Sequence, residues 1–131
     1  MERVFSMLIL TIMSTVACKN SDNKPVTDHF AQMDFTETIL NFGLIPNGSK
    51  QKCSFEFRNS SKAPLVITNV IATCGCTSPK WPKKLIPPGK NGIIEIQYSP
   101  AGVGLFSKSI TVFSNAKNSP VHLYIRGEIT L

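Results

Sequence analysis

The sequence is poor in acidic residues and in histidine, the side chains on which most enzyme and metal sites depend. It contains eight aspartates and glutamates against fourteen lysines and arginines, and only two histidines, His29 and His122. Three of the acids, Glu56, Glu95 and Glu128, fall on predicted solvent faces, so no paired acid and base is expected. Phosphate-cradling glycine loops and nucleophile-elbow motifs are also absent. We therefore predict that the protein is not an enzyme.

The N-terminal apolar segment lacks the length of a membrane span. Residues 4–16 carry no charge, but so short a run cannot cross ~30 Å of hydrocarbon as a helix. The run follows Arg3 and ends in Thr-Val-Ala directly before Cys18, which is typical of a lipoprotein signal, although most such signals carry leucine where Thr15 stands. We predict a signal peptide over residues 1–17 and a covalent lipid on Cys18. The alternative is an ordinary cleaved signal that happens to contain Cys18.

The segment after the signal divides into two parts. Residues 18–32 are polar after Cys18 and show no apolar period, which predicts a flexible tether, whereas residues 33–131 are long enough for one folded domain. We expect a chain that is lipid-anchored in the cell envelope, on its periplasmic or surface face. Its net charge of +6 then favours the membrane, an envelope protein or a polyanionic surface as partner, and the compartment excludes nucleic acid.

Along the domain, apolar and polar residues alternate with the period of two that is typical of β-strands, and no long segment shows the apolar period of a helix. Apolar side chains alternate with polar ones in three segments, around Phe55, Ile94 and Leu123. Further candidate strands are residues 38–42, 65–72 and 106–113, and the breaks between them contain Pro, Gly, Asn and Ser. About seven short strands in some 100 residues predict an all-β fold, a two-sheet antiparallel immunoglobulin-like sandwich.

The run Cys74-Gly75-Cys76-Thr77 with the downstream Trp81, together with several shorter motifs along the domain, resembles the pattern of the DUF1573 family (domain of unknown function), immunoglobulin-like modules common in bacterial envelope lipoproteins. The similarity covers residues 38–131 and is most specific at Cys74-Gly75-Cys76-Thr77 with the downstream Trp81. The other matching positions are Asn41-Phe42-Gly43, Ile45, Gly48, Phe55-Glu56-Phe57-Arg58-Asn59, Pro64-Leu65-Val66-Ile67, Ile86-Pro87-Pro88-Gly89, Gly92, Ile96, Phe106-Ser107-Lys108, Ser114-Asn115 and Gly127. The resemblance implies a sandwich fold and an envelope setting, and it implies no activity.

The cysteines allow several chemistries. If Cys18 is lipidated, Cys53, Cys74 and Cys76 remain, and three thiols cannot all pair within one chain. Cys53 shares the apolar face of its strand and is expected to pack as a small hydrophobic residue. Cys74 and Cys76 could bind Cu or Zn, take part in thiol-redox exchange, or form a packed or bridged structural turn. Since neither histidine is near them in sequence, the structural turn is favoured, with no metal and no cofactor besides the lipid on Cys18.

The second candidate site is the lysine-rich segment that follows the cysteine pair. Residues 79–90 contain four lysines and the only tryptophan of the chain, a composition that suits a membrane interface, a polyanion or a sugar. Trp81 with Lys80, Lys83 and Lys84 is therefore the predicted interaction surface. The alternative is that Trp81 covers the edge of the sandwich while the lysines are simply solvated. Together these features predict an anchored, non-catalytic interaction or structural module, with a metal- or thiol-handling protein as the alternative.

Overall fold

The computed structural model describes residues 30–131, and this part of the chain consists of β-strands joined by turns and loops. No helix in it has the length and apolar character needed to span a bilayer. The predicted signal peptide, Cys18 and His29 lie outside the described residues, so the predictions made for them stay predictions. The eight strands are β1 Met33–Phe35, β2 Ile39–Pro46, β3 Gln51–Asn59, β4 Ile67–Ala72, β5 Thr77–Lys80, β6 Asn91–Tyr98, β7 Gly104–Ser114 and β8 Val121–Thr130.

The strands form two four-stranded sheets around one core. The first sheet has the order β1-β3-β6-β5 and the second the order β2-β8-β7-β4. Apolar side chains that alternate along β3, β6, β7 and β8 are buried between the sheets, whereas their polar neighbours face solvent. This arrangement confirms the predicted all-β immunoglobulin-like sandwich.

The structure differs from the prediction in strand number and in one pairing. β1 and β5 have three and four residues, too few to show an alternation. Pro79 lies inside β5, so the lysine-rich segment of residues 79–90 begins as an edge strand. β2 runs parallel to β8, from Ile39 opposite Tyr124 to Pro46 opposite Thr130. Period-two alternation is the same for parallel and antiparallel strands, so the sequence could not reveal this direction.

Two phenylalanine rings lie over glycines on the neighbouring strand. A Cβ on Gly92 would collide with the ring of Phe57, its register partner on β3. A Cβ on Gly127 would come within 2.7 Å of Cε1 of Phe106, which stands opposite it on β7. The ring of Phe106 also stacks on Tyr98 across the core, at 4.6 Å between centroids. Glycine is therefore required at both positions to leave room for a core ring.

A buried asparagine fastens one end of the sandwich. Asn59 is fully buried, and its Nδ2 donates to the carbonyls of Ala63 (2.8 Å) and Ile86 (2.9 Å). Its Oδ1 accepts from the backbone N (3.1 Å) and the Oγ (2.6 Å) of Ser61. Its backbone N donates to Lys90 O (2.9 Å), so the loop after β3 and the segment before β6 meet at this one residue.

These bonds define two ends of the sandwich. The N-terminal pole comprises residues 30–33, 59–66, 86–91 and 115–121, and it holds the point at which the described chain begins. There Lys117 N donates to Ala31 O (2.8 Å), and the Asn118 side chain bonds both backbone polar groups of Met33. The distal pole comprises residues 46–51, 73–77 and 98–103, where β3 begins and β6 ends. Since β3 has nine residues, the poles lie about 27 Å apart.

Candidate functional site

The cysteine pair lies in a turn at the distal pole that crosses from one sheet to the other. A disulfide joins Cys74 and Cys76, whose Cα atoms are 5.2 Å apart. The turn is closed by Thr77 N donating to Cys74 O (3.1 Å), and Cys76 N lies 3.1 Å from the Cys74 sulfur. Both cysteines are half-buried. We call residues 73–77 the disulfide turn.

Backbone hydrogen bonds tie the disulfide turn to both sheets. Thr73 N donates to Ser109 O on β7 (3.1 Å), and Ser99 N, just after β6, donates to Cys76 O (2.8 Å). Between these two points Gly75 has no positive φ, and a Cβ added to it would meet no atom within 4 Å. The turn is therefore held by its backbone, and neither backbone conformation nor crowding within the chain requires glycine at position 75.

Cys53 is a free thiol, separate from the disulfide. It lies on β3 opposite Ile96 and packs, half-buried, against the core. Burial raises the pKa of Cys53 to about 11, from an ordinary value of 9.0. Because the thiolate is the nucleophile and the metal ligand, this cysteine is inert near neutral pH.

The structure brings Trp81 and Lys83 together. The Nζ of Lys83 lies 3.1 Å from the centroid of the Trp81 ring, and the half-buried ring packs against the core. A cation over an indole face gains about 0.5–1 kcal/mol at an exposed site. Lys84 is exposed beside them. Residues 81–85, which we call the Trp81 segment, thus present an aromatic ring and two cations next to the edge strand β5.

Lys80, the fourth residue of the predicted surface, occupies a different place. It stands opposite Glu95 on the outer face of the first sheet and lines a shallow groove of about 320 Å³ with Lys52, Ser54 and Ser78. The sequence alone does not reveal this groove, because its residues come from three strands whose register no local pattern encodes. The alternation along β3 and β6 placed Lys52, Ser54 and Glu95 on a solvent face, but the pairing was needed to bring them together.

A second depression lies on the outer face of the other sheet. Leu44 and Leu105 stand on either side of Glu128 in register, and they are 70% and 87% exposed. Arg126 lines the same depression. The two exposed leucines make this depression partly apolar, and no sequence motif pointed to it.

Comparison with known proteins identifies the family. A model of the family described as "Protein of unknown function (DUF1573)" matches residues 33–129. The chain belongs to the DUF1573 family. This confirms the resemblance seen in the sequence. No curated protein matches the chain.

Solved structures similar to this DUF1573 chain share its fold at low sequence identity. A Porphyromonas gingivalis protein of unknown function gives a TM-score of 0.66 at 21% identity over 80% of this chain, which spans about half (49%) of that protein. The PapD-like domain 7 of human CEP192 gives 0.63 at 10% identity, over 76% of this chain and 85% of that one. The Vibrio cholerae VesB protease gives 0.60 at 15% identity, over 76% of this chain and 32% of that one. At these identities the likeness establishes the sandwich alone.

Proposed function

We propose that this protein is an envelope lipoprotein, anchored in a membrane through lipid on Cys18, whose sandwich is a non-catalytic interaction module. The signal-like segment ending at Cys18 supports the anchor. The pairing of Trp81 with Lys83 beside the edge strand β5 carries the interaction role. The partner is an envelope protein or polyanionic surface that presents negative charge to the Trp81 segment.

The Trp81 segment has the properties of a preorganised contact. One part of the Trp81 ring is fixed against the core, and Lys83 is held over its face, so both side chains lose little freedom when a partner binds. Tryptophan is among the residues that contribute most to interfaces, and the neighbouring cations select an acidic partner. Pro82 stiffens the backbone between them.

Crosslinking in intact envelopes tests the interaction role. We expect Trp81→Ala, and separately the double variant Lys83→Gln with Lys84→Gln, to reduce the yield of the main adduct about tenfold, as loss of ~1.4 kcal/mol predicts. The matched control removes two lysines from the distal half, Lys50→Gln with Lys52→Gln, and should leave the yield unchanged. Because Trp81 packs against the core, urea unfolding must show that each variant is folded. An adduct profile identical to that of the unaltered chain in both test variants would refute this contact surface.

The anchor has an independent test. The intact mass of the mature protein from membranes should equal that of residues 18–131 plus lipid, and Cys18→Ala should move the chain to the soluble fraction. A soluble, unmodified chain that retains its Cys18 thiol would establish the ordinary cleaved signal instead.

A thiol-handling role is the second candidate, and the disulfide between Cys74 and Cys76 favours it. In such a role the disulfide would accept two electrons and two protons from a dithiol of another protein, which would become a disulfide in turn. Within residues 30–131 no group of three or more His, Cys, Asp or Glu gathers that could hold a metal ion. The metal version of this candidate would therefore rest on two thiolates, a ligand set suited to Cu(I).

Thiol titration and metal analysis separate this candidate from the interaction module. Stoichiometric Cu or Zn in the reduced protein, lost in Cys74→Ser with Cys76→Ser, would establish a metal site. Oxidation of a model protein dithiol by the disulfide form, also lost in that variant, would establish exchange. A protein with neither property, in which only Cys53 titrates after denaturation, would leave the pair as a structural bridge.

A further inference from the structure

The N-terminal pole carries basic residues and no acid. Its four segments contain Lys62, Lys90 and Lys117 but no aspartate or glutamate. Two acids of the strands lie at its margin: Asp34 of β1, which stands in register with Arg58, and Glu56 of β3, whose Oε1 accepts from Asn91 Nδ2 (3.4 Å). Hydrogen bonds from Ser60 and Gln32 lower the pKa of Asp34, so its charge is held at the margin of the pole. The pole is thus a positively charged end of the sandwich.

Hydrogen bonds bring the segments of this pole together in space. Ser60 N donates to Gln32 O (3.2 Å), which joins the chain start to the loop that holds Lys62. Lys62 and Lys117 line one depression of about 370 Å³ together with Ser60, Ser61 and Phe30. The ring of Phe30 is 63% exposed at its rim. Lysines and serine hydroxyls can bind the phosphates of lipid headgroups, and an aromatic ring beside them can enter the apolar layer beneath those phosphates.

The position of Phe30, a short distance along the chain from Cys18, favours a membrane as the source of this phosphate. Eleven residues separate Cys18 from Phe30, and so short a segment spans at most about 40 Å even when fully extended. A lipid on Cys18 would therefore keep Phe30, which lies in the N-terminal pole, within about 40 Å of the headgroups, whereas the distal pole lies about 27 Å further along the sandwich. Lysines act strongly on an anionic surface only within about one Debye length, ~8 Å at physiological ionic strength.

We propose that the N-terminal pole docks on anionic lipid headgroups, with Lys62 and Lys90 contacting phosphates and Phe30 reaching into the interface. Docking orients the sandwich along the membrane normal and places the disulfide turn at the far end, about 27 Å away. This inference takes its biological setting from the proposed anchor. Its measurement does not depend on the anchor, because it uses the chain without lipid.

Vesicle binding by the unlipidated chain from Lys19 onward tests the docking. This chain retains the complete core, whose residues all lie between Ala31 and Ile129. We expect it to bind vesicles that contain phosphatidylglycerol, and to bind phosphatidylcholine vesicles far more weakly. Each lysine near an anionic surface contributes about fivefold in partitioning, so Lys62→Gln with Lys90→Gln should lower binding about 25-fold. Phe30→Ser should weaken binding without changing its salt dependence.

A charge-matched control makes the result specific to the pole. Lys50→Gln with Lys52→Gln removes the same charge from the other half of the molecule and should change binding less than twofold. Equal losses of binding in the two double variants would show attraction by net charge alone and would overturn the proposal. A chain that does not bind anionic vesicles at physiological ionic strength would also overturn it. A soluble polyphosphate could also release the bound chain. If it did so at a phosphate concentration much lower than that of the lipid, the pole would be a binding site for a phosphate polymer instead. An unmodified Cys18 in the mature protein would refute the anchor and leave this measurement unaffected.

Discussion

The side chain of Asn59 makes four hydrogen bonds at a fully buried site, so its replacement should be costly. Asn59→Ala removes all four bonds, each worth a net ~0.5–1.5 kcal/mol. Two of the partners keep a second bond, because Ile86 O still accepts from Leu65 N (3.0 Å) and Ala63 O from Ser61 Oγ (3.0 Å). We therefore expect a loss of about 3 kcal/mol in the free energy of unfolding.

Asn59→Asp isolates the donor half of this network without changing the volume of the side chain. An ionised carboxylate there would be desolvated and would face the two carbonyl oxygens that Nδ2 now contacts, whereas a protonated carboxyl can still donate to one of them. The folded state therefore raises the pKa of the new carboxyl above its unfolded value of about 3.9. Stability should be close to that of the unaltered protein below this value and fall as pH rises toward the folded pKa, by up to ~1.4 kcal/mol per pH unit.

Urea unfolding between acidic and neutral pH, followed by Trp81 fluorescence, measures this effect. Asn69→Asp is the matched control, because Asn69 is exposed and its side-chain oxygen only accepts, from Val70 N (2.9 Å). That variant should stay within ~0.5 kcal/mol of the parent at every pH. Equal unfolding midpoints for the two Asp variants at neutral pH would show that the Nδ2 bonds contribute nothing, and the reasoning would fail.

The remaining predictions concern single glycines and the cysteines. Gly92→Ala should destabilise the fold by about 1–3 kcal/mol, because its Cβ would collide with the ring of Phe57. The control, Gly75→Ala, should change the free energy of unfolding by less than ~0.5 kcal/mol. Equal losses for the two variants in urea unfolding would contradict the packing argument. Iodoacetamide should alkylate Cys53 about 100-fold more slowly in the folded than in the denatured chain at mildly alkaline pH, because folding raises the pKa of this thiol to about 11. Similar rates in the two states would show that the thiol is not desolvated. Replacing both Cys74 and Cys76 by serine should cost no more than about 1.5 kcal/mol, the closure entropy of so short a loop, and a larger drop in thermal stability would mean that the sulfurs contribute packing as well.

Local patterns predicted the parts of the fold that depend on local chemistry. β3 could be predicted because Phe55 and Phe57 alternate with charged residues over nine positions, enough to define a buried face. β5 could not, because its four residues include a proline and are ordered by their pairing with β6. The parallel direction of β2 depends on how the chain crosses between the sheets, which alternation does not encode.

The candidate site was predictable to the same limited degree. Trp81 and Lys83 lie two residues apart, so their contact could be expected from the sequence. The role of Asn59 could not, since its partners include Ile86 O and Lys90 O, which follow it by about thirty residues and reach it only in the folded sandwich. An asparagine before two serines indicates a turn, and nothing local distinguishes an exposed turn from a buried hub.

The two poles are held together by different bonds, which decides what each can do without unfolding the protein. At the N-terminal pole the contacts of Asn59 and Asn118 are side-chain hydrogen bonds that join separate loops, so a change there propagates through the end of the sandwich. At the distal pole the disulfide spans only Gly75, and the turn is tied to both sheets by the backbone of Thr73 and Cys76. These backbone bonds do not involve the sulfurs, so the Cys74–Cys76 bond can open with little effect on strand pairing. Any chemistry of the cysteine pair would therefore take place on an intact fold, at the pole opposite the chain start.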